Sequence, residues 1–221
     1  MSATIAFDLD GTLIDSLSHI HHAVSLGLAE MSLPPITQQK TRGFVGRGFP
    51  VLLERVVDHV GASQSVHPEL SRRVMHHYVN TRSDPASLYP GVPQALGALR
   101  ATGHRLTLCT NKPHAATIAA LADTGLEYFF EIVIAGDSLP TRKPDPAMLM
   151  AALDGATCGL FVGDSEVDAE TAERAGVAML LFTEGYRQTP LASLTHAGSF
   201  SDFAKLPRLV AHIAESIAGT A

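Results

Sequence analysis

Two aspartates, Asp8 and Asp10, stand in the stretch Phe7-Asp8-Leu9-Asp10-Gly11-Thr12-Leu13, directly behind the apolar run Thr4-Ile5-Ala6-Phe7. Such a short β-branched and aromatic run reads as a buried strand. In extended chain, residues two apart share a face, so both carboxylates project the same way from the strand's end. Adjacent carboxylates repel, and burying them uncompensated is costly. The pair therefore points to a divalent cation, or to two carboxyls in different protonation states for acid–base work. Aspartates that only terminate a strand as turn formers would need neither. Polar groups recur behind later apolar runs: Thr110-Asn111-Lys112 after 105–109, Asp137 and Thr141-Arg142-Lys143-Pro144-Asp145-Pro146 after 132–135, and Gly163-Asp164-Ser165-Glu166-Val167-Asp168 after 160–162.

The elements that carry these groups have a readable order. The runs at 105–109, 132–135, 160–162 and 177–181 are continuously rather than alternately apolar, which implies a parallel sheet covered on both faces. Gly103, Gly125 and Gly176 each close a helical stretch where a left-handed residue is expected. Asp145-Pro146 opens a helix over 147–153, with aspartate as cap and proline first in the helix. Between 16 and 84 only helical patterns occur: a stripe of Ile20, Ala23, Val24, Gly27, Leu28 and Met31, a second of Phe49, Leu52, Leu53, Val56, Val57 and Val60, and a third of Leu70, Val74, His77 and Tyr78. The expected fold class is α/β, a doubly wound, mainly parallel sheet over 1–15 and 85–221, interrupted by an all-helical cap over 16–84. The chain would leave through Asp15-Ser16, re-enter through Ser83-Asp84-Pro85, and carry the cap over the strands' carboxyl ends, where open α/β sheets bind ligands.

Composition narrows the class further. The chain has 221 residues, 46% of them hydrophobic, and a net charge of −6. That charge argues against a nucleic-acid or anionic-membrane partner. No apolar run approaches the roughly 18 residues of a membrane span, and the N-terminus lacks the basic region and apolar run of a secretory signal. Cys109 and Cys158 both fall in apolar runs and read as small core residues. A soluble cytoplasmic protein, monomeric or homodimeric, is the expectation.

The ordered set Asp8-Leu9-Asp10-Gly11-Thr12, Thr110-Asn111, Lys143-Pro144, and Gly163-Asp164-Ser165 with Asp168 resembles the haloacid dehalogenase-like hydrolase superfamily in its phosphatase branch, over essentially the whole chain. The helical insert is similar to that superfamily's C1-type cap. Leu13-Ile14-Asp15-Ser16, Phe44-Val45-Gly46-Arg47-Gly48, Thr110-Asn111-Lys112-Pro113 and Asp137-Ser138-Leu139-Pro140 with Arg142-Lys143-Pro144-Asp145-Pro146 are most similar to bacterial phosphoglycolate phosphatases. The resemblance implies a Mg²⁺-dependent phosphomonoester hydrolase with a small phosphate ester, 2-phosphoglycolate, as substrate. It implies that Asp8 attacks phosphorus to give an aspartyl-phosphate, while Asp10 protonates the leaving alkoxide and then takes a proton from water. For that, Asp10 would start protonated beside a second carboxylate. Mg²⁺ would be held by the Asp8 side chain, the Asp10 carbonyl and Asp164, with Asp168 orienting a metal-bound water or Lys143. Thr110, Asn111 and Lys143 would bind phosphoryl oxygens, and Lys143 would restrain Asp8.

Several features have competing readings. The loop 43–48 is either a turn between cap helices or a means of bringing Arg47, or Arg42, onto a substrate carboxylate. A cis bond before Pro144 would aim Lys143 inward. Glu166 reads as solvated. His19, His21, His22, His76 and His77 lack the cysteine partners or spacing of a zinc site and read as cap-helix residues. A β-phosphoglucomutase-like transfer or a broad-specificity phosphatase would share the same motifs. A dehalogenase would not need Asp10, and an inactive phospho-ligand sensor would be expected to have lost Asp8 or Asp10.

Overall fold

The computed structural model describes residues 2–82, 84 and 87–218. Six parallel strands form one sheet in the order β3-β2-β1-β4-β5-β6: β1 (Thr4–Phe7), β2 (Arg105–Cys109), β3 (Ile132–Ile134), β4 (Gly159–Gly163), β5 (Ala178–Phe182) and β6 (Gly198–Phe200). β1 lies between β2 and β4, with Phe7 in register with both Leu108 and Val162. The strand order reverses there, so the loops behind β1 and β4 part and leave a crevice at their carboxyl ends. Asp8 and Asp164 begin those two loops.

Alternation explains the continuous hydrophobicity of the strands. Ile5, Phe7, Leu106, Leu108, Leu160 and Val162 face one layer, packed against helices α5 (Val92–Ala101), α6 (His114–Thr124) and α9 (Leu206–Ala218). Ala6, Cys109, Phe161, Met179 and Leu181 face the other, against α7 (Ala147–Leu153) and α8 (Glu166–Ala175). Each fully buried large side chain contributes about 1.5–3 kcal/mol, so both faces must be apolar. Gly103, Gly125 and Gly176 have the expected positive φ, and the Asp145 side chain accepts from Ala147 N at 2.9 Å at the start of α7.

Among the described residues, four α-helices lie between β1 and α5, α1 (Leu17–Glu30), α2 (Gln38–Arg42), α3 (Phe49–His59) and α4 (His67–Asn80), and share an apolar cluster of their own. The three predicted stripes supply it, except that His77 turns outward to Glu30 at 2.7 Å. α1 and α4 approach so closely at Gly27 that an added Cβ would sit 2.5 Å from Val74 Cγ2. Asn111 Nδ2 donates to Gly46 O at 3.0 Å, and Leu17 N to Tyr186 Oη at 2.9 Å. These bonds fasten the helical segment over the strands' carboxyl ends. Ser83 and Pro85, expected at the return crossing, lie outside the described residues. Among the described residues no helix is long and apolar enough to cross a membrane.

Candidate active site

The end of β1 delivers Asp8, the end of β4 delivers Asp164, and the first turn of α8 delivers Asp168. One oxygen from each lies within 4.8 Å of the others, and all three residues are buried. Lys143 enters from the loop after β3, across a cis Lys143–Pro144 bond, and places Nζ 2.9 Å from Asp8 Oδ1 and 2.7 Å from Asp168 Oδ1. Burial works against the charge on Lys143, but Asp168 and Asp8 more than offset it and hold the ammonium above its ordinary range. Burial likewise pushes the Asp8 carboxyl up from 3.8 to about 6; Lys143 opposes the shift and Asp168 adds to it. Asp164 is raised well above its ordinary value by burial, then by Asp168 and Asp8.

The local sequence explains how each acid is held. Asp164 Oδ1 accepts from Thr12 Oγ1 at 2.9 Å and Oδ2 from Tyr186 N at 2.6 Å. A Cβ on Gly185 would lie 2.3 Å from Asp164 Oδ2, so only glycine lets that backbone approach. Asp168 closes a capping box with Ser165. Its Oδ2 accepts from Asp164 N, Ser165 N and Ser165 Oγ, at 3.2, 3.1 and 2.6 Å, while Oδ1 takes the Lys143 proton donor. So many commitments suit Asp168 to orient its neighbours rather than to reach a ligand.

Charge counting tests whether a metal fits. Three buried carboxylates face one ammonium, leaving two negative charges if all ionise. Asp8 Oδ1 touches Lys143 but receives no well-directed hydrogen bond. An all-oxygen site with that excess matches a hard divalent cation. The Asp10 carboxylate is absent from the group, as expected if only its backbone carbonyl faces an ion: Lys112 Nζ holds its Oδ1 at 2.9 Å. Asp10's neighbour is thus a cation, where the sequence reading placed a second carboxylate.

Lys112 received no role from the sequence. Its side chain is 2% exposed, donates to both Asp10 and Tyr78 Oη, and lies 4.5 Å from the Tyr78 ring centre. Burial disfavours its charge, but Asp10 and Tyr78 outweigh that and raise its pKa. Burial foremost, with Asp10, pushes the Tyr78 hydroxyl up to about 12. The Thr-Asn-Lys run was the available signal for Lys112. Tyr78 stood in an apolar stripe and read as packing.

Other expectations are modified. Thr110 is buried with its hydroxyl near the site, accepting from Lys112 N at 3.3 Å. Asn111 spends its amide on the protein: Nδ2 donates to Gly46 O and Lys143 O, and Oδ1 accepts from Lys143 N, each at 3.0 Å. It positions the lysine loop, leaving little for a phosphoryl oxygen. The N–H of His114 at the start of α6 is taken by Asp137 Oδ1 at 2.7 Å. Arg42 donates to Gly185 O and stacks on Tyr186, joining the helical segment to the core. Glu166 is not merely solvated: it accepts from Gln188 N and Thr189 N.

Two hollows meet at Asp8 and Asp10. One, of about 180 Å³, is bordered by Arg47, Arg55, Asp164 and Gln188. The other, of about 50 Å³, is bordered by Thr110, Lys112 and Tyr78, with Val24, Phe49 and Leu52 behind them. Pockets for drug-sized ligands measure about 300–1,000 Å³, so these spaces suit something small.

Comparison with known proteins agrees with this geometry. The chain is 46% identical over 213 residues to a phosphoglycolate phosphatase of Cereibacter sphaeroides, covering 95% of this chain and 98% of that protein. It is 40% identical over 218 residues to one of Rhodobacter capsulatus, covering 95% and 97%. A crystal structure of a predicted phosphoglycolate phosphatase from Haemophilus somnus superposes with a TM-score of 0.86 at 31% identity, covering 94% of this chain and 97% of that one. Residues 5–182 match the family model for haloacid dehalogenase-like hydrolases, a span that runs from β1 through β5 and includes every acid and lysine of the site. With four strand ends delivering those groups to one crevice, the chain belongs to the haloacid dehalogenase-like hydrolase family.

Proposed function

We propose that this protein hydrolyses 2-phosphoglycolate to glycolate and phosphate, with Mg²⁺ as the divalent ion and Asp8 as nucleophile. One observation carries the reading: Asp8, held by Lys143 within the acidic group, opens onto the same small hollow as Asp10. The names of the relatives above support the substrate, and the size of the hollow is in keeping with it.

An attacking carboxylate must approach an anionic phosphate ester, and Lys143 offsets part of that repulsion. An Asp8 oxygen forms a bond to phosphorus while the bond to the ester oxygen breaks in line; Asp10, entering the step protonated on the oxygen that Lys112 does not hold, delivers that proton to the departing oxygen. Asp10 then takes a proton from the water that attacks the acyl phosphate, which restores Asp8 and releases phosphate. Thr110 and Lys143 hold the phosphoryl oxygens, and the Asp168–Ser165 capping box keeps Lys143 aimed. Asp8, Asp164 and the Asp10 carbonyl would hold Mg²⁺, which supplies positive charge against the phosphoryl oxygens. Arg47, exposed at the rim, draws anions toward the hollow.

A panel of phosphate esters, assayed with and without Mg²⁺, tests this. The expected result is Mg²⁺-dependent hydrolysis with 2-phosphoglycolate well ahead of hexose phosphates and nucleoside monophosphates. Comparable rates across the panel would remove the substrate assignment, and conversion of a sugar phosphate to its isomer would favour a mutase.

A further inference from the structure

The mechanism above uses Asp10 but leaves its partner Lys112 unexplained. An ammonium carries three N–H donors. Asp10 Oδ1 and Tyr78 Oη take two of them, and among the described residues no third oxygen or nitrogen of the protein accepts from Nζ. The side chain is 2% exposed, so bulk water does not serve it. Yet Lys112 borders the small hollow together with Asp8, Asp10 and Thr110, where its remaining donor can be met by a ligand.

We infer that Lys112 receives the substrate's carboxylate and so sets the preference for phosphate esters of 2-hydroxy acids. This rests on the phosphatase reading above. Asp10 must reach the ester oxygen to protonate it, and Lys112 touches Asp10 at 2.9 Å. In 2-phosphoglycolate the carboxylate is borne on the very carbon that carries the ester oxygen. A group reaching Asp10 through that oxygen therefore brings its carboxylate beside Lys112. The apolar wall of Val24, Phe49 and Leu52 behind Tyr78 offers nothing to a longer polyhydroxylated leaving group, whose hydroxyls would go unpaired. Arg47 borders the other hollow and is exposed, where screening by water weakens discrimination. Tyr78, reaching from α4, fixes the ammonium, so the helical segment contributes to selection through this bond as well as through the apolar wall.

The test compares kcat/KM for 2-phosphoglycolate, its uncharged amide and ethyl phosphate. Wild-type enzyme should favour the carboxylate over both others by about 100-fold or more, since a buried polar group left unpaired is a strong discriminator. Lys112→Met should cut that ratio at least about 30-fold, whatever it does to the absolute rates; Lys112→Arg should keep most of it, and Arg47→Ala should shift it less than about 3-fold. Calorimetric binding to Asp8→Asn should show the same loss with Lys112→Met added. Equal falls on all three esters, or a preference carried by Arg47, would overturn the inference and leave the phosphatase reading standing. If Lys112→Met does not fold, wild-type indifference between the carboxylate and its amide would overturn it alone. Absence of turnover with every ester would overturn the phosphatase reading and this inference with it.

Discussion

Replacing Asp8 by asparagine should abolish turnover and, in the absence of metal, make the protein more stable. The Asp8 carboxyl is raised from 3.8 to about 6, with burial the largest cause. That is about two units, each about 1.4 kcal/mol, so keeping the carboxylate ionised in the fold at neutral pH costs about 3 kcal/mol. Asparagine removes the cost but takes one anion from Lys143, which retains Asp168 at 2.7 Å. The net gain should be about 1–3 kcal/mol, read as a rise in Tm of about 3–10 °C at this chain length. Between pH 4 and 6 the folded wild type keeps a proton that the unfolded chain has released. Its metal-free stability therefore falls as pH rises through that window, and the advantage of Asp8→Asn shrinks toward zero near pH 4. Denaturation scans in EDTA from pH 4 to 8 measure this, and scans in excess Mg²⁺ should raise the wild type far more than the variant. An Asp8→Asn protein less stable than wild type in EDTA at pH 7.5, or an advantage independent of pH, would refute the reasoning.

Two further substitutions probe how the acids are held. Gly185→Ala puts a methyl where Asp164 Oδ2 lies 2.3 Å away, so it should cost about 1–3 kcal/mol and weaken Mg²⁺ binding at least about tenfold by calorimetry; unchanged affinity would mean Asp164 does not hold the ion. Ser165→Ala removes a cap and a 2.6 Å hydrogen bond to Asp168, at a cost of about 1 kcal/mol. It should lower kcat with little change in KM, because Asp168 then aims Lys143 less firmly, and a change in KM alone would contradict that role.

How much of the site was legible follows from sheet geometry. Asp8, Thr110 and Asp164 each follow an apolar run, and in a parallel sheet such residues reach one edge whatever the details of packing, whereas Lys143 arrives from farther along the loop after β3. The helices between β1 and α5 were signalled separately, by the change from strand-like runs to helical stripes. β6 went unforeseen because Gly198-Ser199-Phe200 is too short and too weakly apolar to show a pattern. Lys112 was hidden for another reason: a lysine after a strand reads as surface, and nothing local reveals that Tyr78, 34 positions earlier, will cover it. Asn111 illustrates the converse. Its place beside Thr110 suggested a ligand contact, whereas pairing with Gly46 and Lys143 depends on chain segments whose approach no spacing encodes. The Ser165–Asp168 capping box, by contrast, is a local pattern that could have been read directly.

The central claim is a covalent phosphoryl group on Asp8. A crystal grown with Mg²⁺ and the fluoroberyllate mimic tests it most directly. The account predicts beryllium bonded to an Asp8 carboxylate oxygen, with Lys143 and Thr110 on the fluorines and Asp10 facing the open apical position; density joined to any other residue, or an unmodified Asp8 beside a fully bound mimic, would contradict it.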